Sequence, residues 1–440
     1  MMKYSYFPGC SANTTGKSFT ISTNYVADRI GFKLLEIPDW NCCGTSAAAL
    51  TSPELAVALP ARSLAISEQE LPGLDVVAPC AGCYRSLKTS VAYARASEEN
   101  LQQVRELIDR PYEAQADVLT LVEAFSTDEA RAAIADRVTR KLRCLKVACY
   151  YGCAMVRPAE VCDSDDEEDP RSMDELMELI GAEPVEWAFK TECCGAAQQM
   201  AVPKQARPMI ERIFQNAQAN GADCIVTSCP LCMLNLDMRE AVINKARMAR
   251  GEEPFDIPCY YFTELIGLAF GADPDEVGID IHFHPAKKLL LQRELDALEL
   301  EERENIERAE EERKKAEMAA KIAAAKAAKA AKAAKAAKEA AAKEVAETEV
   351  AAKAEGEATA KAEEEAAVKA TDAESPAVPA SEAAQEQQAT RDTAPESGEE
   401  SWQKKPAHAK PAAESAESES KAVGWRAAGS AGGNGEEAAR

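Results

Sequence analysis

The first 284 residues alternate short apolar runs with segments of helical periodicity. The apolar runs predict strands at residues 3–7, 33–37, 74–78, 146–150, 183–187 and 223–227. Between them, apolar residues recur at helical spacing and predict helices at 18–30, 53–70, 83–107, 172–180, 203–220 and 233–248. Strands that alternate with helices are typical of parallel sheets. The pattern therefore predicts an α/β fold with parallel sheets.

The same order of elements and motifs occurs twice. The first copy carries FPGC at 7–10, CCG at 42–44 and APCAGC at 78–83. The second carries YYGC at 150–153, CCG at 193–195 and TSCPLC at 227–232. Matching cysteines are 143, 151 and 149 residues apart, and such unequal offsets are expected when loops change length after a duplication. We therefore predict two duplicated cysteine-rich α/β modules, at residues 1–140 and 141–284.

The composition changes after residue 284. All 15 cysteines precede this point, and Trp402 and Trp425 are the only aromatic residues beyond it. Residues 285–370 are rich in Ala, Lys and Glu and predict a long charged helix, whereas residues 371–440 have the composition of a disordered tail. Lysines recur every third residue from 326 to 338, so their stripe winds around the helix. This pattern is typical of a solvated spacer, and docking to an acidic partner is the alternative interpretation.

The net charge and the N-terminal sequence argue against a nucleic-acid-binding, secreted or membrane-spanning protein. The formal net charge is −24, so phosphate backbones are repelled and no nucleic-acid partner is expected. The N-terminal MMKYSYFPGC lacks the apolar core of a secretory signal, and no run of about 18 apolar residues predicts a membrane span. A cytoplasmic protein is expected. In that reducing compartment, spaced cysteines more often bind metal or act in catalysis than form disulfides.

Each module offers a single cysteine, an adjacent pair and a C-x-x-C motif. Iron–sulfur clusters and thiolate-bound zinc both suit such soft ligands. Structural zinc takes four ligands, so a fifth thiolate and an adjacent pair favour a cluster of several irons. The ten candidate ligands are Cys10, Cys42, Cys43, Cys80 and Cys83 in the first module, and Cys153, Cys193, Cys194, Cys229 and Cys232 in the second.

At these cysteines the chain resembles the CCG, or cysteine-rich, domain of the B subunits of heterodisulfide reductases, over about residues 1–284. Gly44 and Gly195 complete the two CCG signatures, and Gly9 and Gly152 precede the first cysteine of each copy. The second copy is one residue shorter than the usual spacing between its cysteine pair and its C-x-x-C motif. The resemblance implies two α/β modules that each hold a noncubane [4Fe–4S] cluster on five thiolates.

The resemblance also implies a reaction, the reductive cleavage of a disulfide between two thiol cofactors of the CoB–CoM kind. Two clusters facing one cavity would each take one sulfur as the bond parts. The chain has neither a ferredoxin-type cysteine run nor a strand-linked G-x-G-x-x-G motif. Electrons are therefore expected from a ferredoxin-like C-type subunit and a flavin-containing A-type subunit.

Three basic residues follow the cysteine loops and are candidate binding groups for an anionic substrate: Arg85, Lys88 and Arg157. Cluster charge balance and surface solvation are the competing interpretations. The remaining cysteines are expected to pack as small buried residues, and they are Cys144, Cys149, Cys162, Cys224 and Cys259. For His282 and His284 we expect packing or surface roles instead of metal binding.

Two other functions compete with disulfide reduction. The chain could be an electron-transfer iron–sulfur subunit of another dehydrogenase complex, of succinate, lactate or glycolate type, because similar cysteine-rich modules occur there. It could also be a structural module in which one or both sites hold zinc. Two complete cysteine sets favour the first function, because a pure relay needs no open substrate site.

Overall fold

The computed structural model describes residues 2–199, 202–285 and 287–366 and contains two four-stranded sheets in which every strand pair is parallel. The first sheet has the order β2-β1-β3-β4 and the second the order β6-β5-β7-β8. The duplicated parallel sheets predicted from the sequence are confirmed. The strands are β1 (Lys3–Tyr6), β2 (Lys33–Glu36), β3 (Val76–Ala78), β4 (Val118–Thr120), β5 (Lys146–Tyr150), β6 (Glu183–Pro184), β7 (Cys224–Thr227) and β8 (Cys259–Tyr261).

Helices connect these strands and cover the sheets. In the first module they are α1 (Lys17–Ile30), α2 (Thr45–Thr51), α3 (Pro53–Glu70), α4 (Ala81–Arg95), α5 (Glu98–Ile108), α6 (Leu121–Phe125) and α7 (Asp128–Arg137). In the second they are α8 (Cys153–Val156), α9 (Ser172–Leu179), α10 (Pro203–Ala219), α11 (Pro230–Ala249) and α12 (Phe262–Ala269). The predicted charged helix is α13 (Lys287–Ala366), whereas the predicted disordered segment 371–440 lies outside the described residues.

Three local predictions differ from the structure. The helix predicted at 83–107 is divided into α4 and α5, because Ser97 caps a new helix and accepts a hydrogen bond from the backbone N–H of Asn100. The strand predicted at 183–187 contains only two paired residues. Strands β4 and β8 were not predicted at all. They contain three residues each, too few to show a period of their own.

The central strands form the core of each module. All three residues of β3 and all four of β7 are buried, as expected for parallel strands covered by helices on both faces. The two modules also share one continuous hydrophobic core. At their boundary α1 packs on α12, where the buried hydroxyls of Ser22 and Thr263 lie 2.6 Å apart. The modules are therefore held in a fixed relative position.

None of the helices within the described ranges is long and apolar enough to cross a membrane.

Candidate metal centre

The cysteine motifs lie where strands end. Cys10 follows β1, the pair Cys42–Cys43 follows β2, and Cys80 follows β3 as the N-cap of α4. The second module repeats this arrangement after β5, β6 and β7, with Cys229 as the N-cap of α11. The carboxyl edge of a parallel sheet is the usual ligand-binding edge, and helix N-termini there favour thiolate charge.

Two equivalent glycines let the first loop of each module approach the C-x-x-C motif. Gly9 and Gly152 have positive φ angles of 73° and 71°. A Cβ atom would lie 3.0 Å from the Cys83 sulfur at Gly9, and 3.1 Å from the Cys232 sulfur at Gly152. A side chain at either position would be strained in its backbone and would crowd a candidate ligand. The glycine before the first cysteine is therefore required by the packing of the site.

In the first module the cysteine sulfurs contact one another. The sulfurs of Cys43 and Cys83 lie 3.3 Å apart, and the pKa of Cys42 is raised mainly by burial, with smaller contributions from the neighbouring thiols of Cys43 and Cys10. The pKa of Cys43 is lowered to about 7, chiefly by its hydrogen bond with Cys83. Cys43, Cys80 and Cys83 are buried, while Cys10 and Cys42 are exposed. Three of the five sulfurs are therefore buried, and the side formed by Cys10 and Cys42 is open to solvent.

The second module repeats these contacts. The sulfurs of Cys194 and Cys232 lie 3.7 Å apart, and the Gly195 N–H donates to the Cys193 sulfur at 3.3 Å. The pKa of Cys193 is lowered to about 6, first by a hydrogen bond from the Cys153 thiol and then by the Gly195 N–H. Thiolate is the form that binds metal, so this loop favours the state that a metal requires.

The two cysteine sets meet at the boundary between the modules. A Cβ atom at Gly82, inside the first C-x-x-C motif, would lie 3.4 Å from the Leu231 side chain inside the second. The pKa of Cys229 is lowered well below its usual value, first by Cys232 and then by Cys80, and the pKa of Cys80 is raised in turn by Cys229. Both residues are the first cysteine of a C-x-x-C motif and both are buried. The duplicated sites therefore face each other across the module boundary.

The donor set fits the iron–sulfur chemistry expected from the sequence. All ten cysteines are free, and each module gathers five soft sulfur ligands at one edge. Within residues 2–199, 202–285 and 287–366, no three Cys, His, Asp or Glu side chains form a preassembled site for a single metal ion. The sulfurs contact one another in pairs instead. The assignment of individual ligands stays a prediction.

The three basic candidates differ in their surroundings. Lys88 forms an ion pair with Asp163 at 2.8 Å. Arg157 donates to the Glu167 carbonyl and the Thr191 hydroxyl, each at 3.0 Å. Arg85 lies on α4 of the first module, yet its charge acts on the thiols of Cys153 and Cys193 in the second. Sequence places all three after cysteine loops, but only the fold brings Arg85 to the neighbouring module.

A buried charged group beneath the second site was not predicted. The Lys190 ammonium is 2% exposed and lies 2.8 Å from Asp169 and 3.2 Å from Asp174. Asp174 also accepts a hydrogen bond from Tyr151 at 2.6 Å. The Lys190 carbonyl accepts from the backbone N–H groups of Tyr151 and Gly152, which ties the loops of Cys153 and Cys193 together. The nearest sequence signal was the position of Lys190, three residues before the second CCG motif.

The cysteines and histidines outside the motifs have packing roles. Cys149, Cys162, Cys224 and Cys259 are buried, and Cys144 is partly exposed. His282 lies 2.8 Å from Glu264, and His284 lies 2.6 Å from Glu240. Both histidines therefore join the end of the second module to buried carboxylates, in agreement with the expected packing roles.

A comparison with protein families agrees with the placement of the cysteine motifs. The model of the cysteine-rich domain, CCG, matches residues 4–88 and 147–237, which contain all ten candidate ligands. The chain therefore contains two copies of the cysteine-rich domain. Its two copies of the domain correspond to the two sheets, and α13 lies outside both matched regions.

Several curated proteins are similar to this cysteine-rich domain protein. The 8-methylmenaquinol:fumarate reductase membrane anchor subunit of Wolinella succinogenes is 29% identical over 65% of the chain and 99% of its own length. Heterodisulfide reductase B subunits of Methanosarcina acetivorans and Methanosarcina mazei are 28% and 27% identical over 64% of the chain and 93% of their own length. The predicted resemblance to the heterodisulfide reductase B subunits is confirmed. All three relatives are named as subunits of reductases.

Proposed function

We propose that this chain is the catalytic iron–sulfur subunit of a heterodisulfide reductase-like complex and reduces the disulfide of two thiol cofactors. The observation that carries the proposal is the meeting of the two C-x-x-C motifs at the module boundary, where Gly82 packs on Leu231 and the thiols of Cys80 and Cys229 shift each other's pKa. Two neighbouring sites allow each of the two sulfurs released by disulfide cleavage to be accepted separately. Similarity to heterodisulfide reductase B subunits supports the same assignment.

Each five-cysteine set is proposed to hold one noncubane [4Fe–4S] cluster. When bound, such a cluster supplies one-electron transfer and a Lewis-acidic iron. The protein's own groups hold the ligand loops in place. Gly9 and Gly152 allow close approach to the sulfurs, and the Asn235 amide donates to the Cys194 carbonyl at 2.6 Å. Arg85 is proposed to bind the anionic group of the substrate, because Lys88 and Arg157 are engaged within the protein.

Electrons are proposed to come from a ferredoxin-like C-type subunit and a flavin-containing A-type subunit in the cytoplasm. Support comes from relatives that are named as subunits of heterodisulfide reductases. Full activity of the purified chain alone with a physiological donor would contradict this part of the proposal.

A second candidate function is electron transfer without a bound disulfide. It is favoured by the similarity to a fumarate reductase subunit over 99% of that subunit's length. In this case both modules would relay electrons and no thiol would reach a cluster. The open side formed by Cys10 and Cys42 is the feature that favours a substrate site.

Metal analysis and electron paramagnetic resonance separate these candidates. Protein purified without oxygen is analysed for iron, sulfide and zinc, and its spectrum is recorded after oxidation with and without 2-mercaptoethanesulfonate. The proposal expects about eight irons per chain, on the order of two four-iron clusters, and a signal that depends on the thiol. About eight irons with no thiol-dependent signal would support the relay. Zinc in place of iron would reject both redox functions.

A further inference from the structure

The segment between the first cysteine and the next long helix differs between the two modules. In the first module, six residues, 11–16, separate Cys10 from α1. In the second, 18 residues, 154–171, separate Cys153 from α9. We call residues 157–171 the strap, because they connect the end of the short helix α8 to the start of α9. Six residues are too few for a counterpart of the strap in the first module.

The strap contains an acidic run that is fixed at both ends. Residues 163–169 include six acidic residues and no basic one. At the start of the run, Asp163 forms an ion pair with Lys88 at 2.8 Å. At its end, Asp169 forms an ion pair with the buried ammonium of Lys190 at 2.8 Å. Both cations lie outside the strap, one in the first module and one in the second, so the strap is attached to both modules.

Two further contacts attach the strap to the ligand loops of the second site. The Ser164 hydroxyl donates at 2.7 Å to the carbonyl of Met155, in the helix that begins at Cys153. The Arg157 guanidinium donates at 3.0 Å to the hydroxyl of Thr191, in the loop that leads to the second CCG motif, and at the same distance to a carbonyl within the strap. The strap therefore joins the two ligand loops to each other.

Equivalent cysteines of the two sites differ in their exposure. Cys10 and Cys42 are exposed, whereas their equivalents Cys153 and Cys193 are only partly exposed. The other three cysteines of each set are buried in both modules. The difference between the sites therefore lies on their outer side, where the second module has the longer segment.

We propose that the strap closes the outer side of the second site, so that thiols and chelators reach the first site sooner. Access to Cys153 and Cys193 then requires the strap to detach from its contacts. The rate of access follows the fraction of molecules in which the strap is open. The first site needs no such opening, so the two modules take up and release their ligands in a fixed order.

This inference rests on the two predicted cysteine sets and not on the identity of the bound metal. The order of access is the same for iron–sulfur clusters and for zinc, because it depends on the strap and not on the metal. One consequence rests on the proposed function as well: a disulfide substrate enters from the side of the first module, where Cys10 and Cys42 are exposed.

Site-resolved thiol labelling of the intact, anaerobically purified chain tests the order. The protein is treated with phenanthroline and iodoacetamide together, and mass spectrometry follows each cysteine over time. Cys10 and Cys42 should be labelled about tenfold faster or more than Cys153 and Cys193, because hydrogen bonds of the strap to charged groups must break first. Cys224 is buried outside the motifs and reports unfolding, so it should stay unlabelled.

Two variants loosen the strap at different contacts. Arg157→Gln removes the bonds to the CCG loop and to the strap carbonyl, and Asp163→Asn removes the ion pair with Lys88. Each variant should speed the labelling of the two outer cysteines of the second site about tenfold and leave the first site unchanged. Arg29→Gln is the matched control, because it removes an arginine bond to a carbonyl within α1, and it should change neither rate.

The outcomes separate this inference from the proposed function. Equal labelling rates in the two modules, or variants that leave the second site as slow as before, would overturn the inference. Equal rates in a protein with a thiol-dependent resonance signal would leave the proposed function standing without it. The expected order in a protein that holds zinc would support the strap and reject the redox function. A variant in which Cys224 is labelled has unfolded, and the other variant then decides.

Discussion

The ring of Phe19 in the first module stacks on the ring of Tyr261 in the second, with centroids 4.2 Å apart and planes inclined by 3°. Both side chains are buried. Tyr261 ends β8, and its neighbour Phe262 makes an edge contact with Phe125 of the first module. Aromatic contacts thus join the two modules at the boundary at which Cys80 and Cys229 meet.

Replacing Phe19 should weaken the junction of the modules. Phe19→Ala is expected to lower the free energy of unfolding by about 3–5 kcal/mol, because a buried ring is removed and a cavity is left. The matched control is Phe283→Ala, since Phe283 is 66% exposed, and it should change stability by less than about 0.5 kcal/mol. Urea unfolding measures both. Equal effects of the two variants would show that the stack does not hold the modules together.

Removing one buried cysteine ligand should abolish cluster binding in one module. Cys194→Ala is expected to lower the iron content to about half, because the second set loses a ligand while the first set stays intact. Cys224→Ala removes a buried cysteine of the same module that is outside the motifs, and iron should be retained. Iron and sulfide analysis checks the pair. Unchanged iron in Cys194→Ala would disprove the ligand assignment of the second module.

Arg85 should matter for anionic thiols specifically. Arg85→Gln is expected to weaken the binding of 2-mercaptoethanesulfonate about tenfold or more, because one hydrogen bond to a charged group is lost. Binding of the uncharged 2-mercaptoethanol should hardly change. The thiol-dependent resonance signal measures both affinities. Lys88→Gln serves as the comparison because Lys88 is already paired with Asp163. A similar loss for both thiols would point to an effect on the site as a whole.

The buried ammonium of Lys190 should be needed for the stability of the second module. Lys190→Met is expected to cost about 3–5 kcal/mol, since the buried carboxylate of Asp174 loses its counter-charge. The double variant with Asp174→Asn should cost less than Lys190→Met alone, because the uncompensated charge is gone. Thermal or urea unfolding gives the comparison. A double variant as unstable as the single one would mean that packing, not charge, sets the cost.

His282 should make stability depend on pH. Burial lowers its pKa, but the charge and hydrogen bond of Glu264 outweigh burial, and the pKa is raised overall. The fold therefore favours the protonated ring, so its contribution is complete below pH about 6.5 and is lost as pH rises through the folded-state pKa. The stability difference between the protein and His282→Gln should shrink from pH 6 to pH 9, approximately the range over which histidine titrates. A difference that does not vary with pH would exclude this role.

The duplication could be predicted from the sequence because short local motifs and apolar runs occur in both copies. Strand β7 is a short apolar run, and the two CCG motifs identify the equivalent loops directly. Strands β4 and β8 could not be found in this way, because their three residues gain strand structure only by pairing with β3 and β7. The proximity of Cys80 to Cys229 depends on how the two modules pack. The position of Arg85 near the cysteines of the second module depends on it as well. No spacing within one module contains that information.

The two glycines that precede the first cysteines show how the duplicated halves have diverged. The segment between the first cysteine and the cysteine pair has 31 residues in one half and 39 in the other. A Cβ atom placed on each glycine would nevertheless lie at nearly the same distance from the facing sulfur, 3.0 Å at Gly9 and 3.1 Å at Gly152. The loops differ in length, while a methyl group at either glycine would be strained by the positive φ angle and crowded by the sulfur. Random mutagenesis of the site should therefore return insertions in the loops far more readily than any replacement of Gly9 or Gly152.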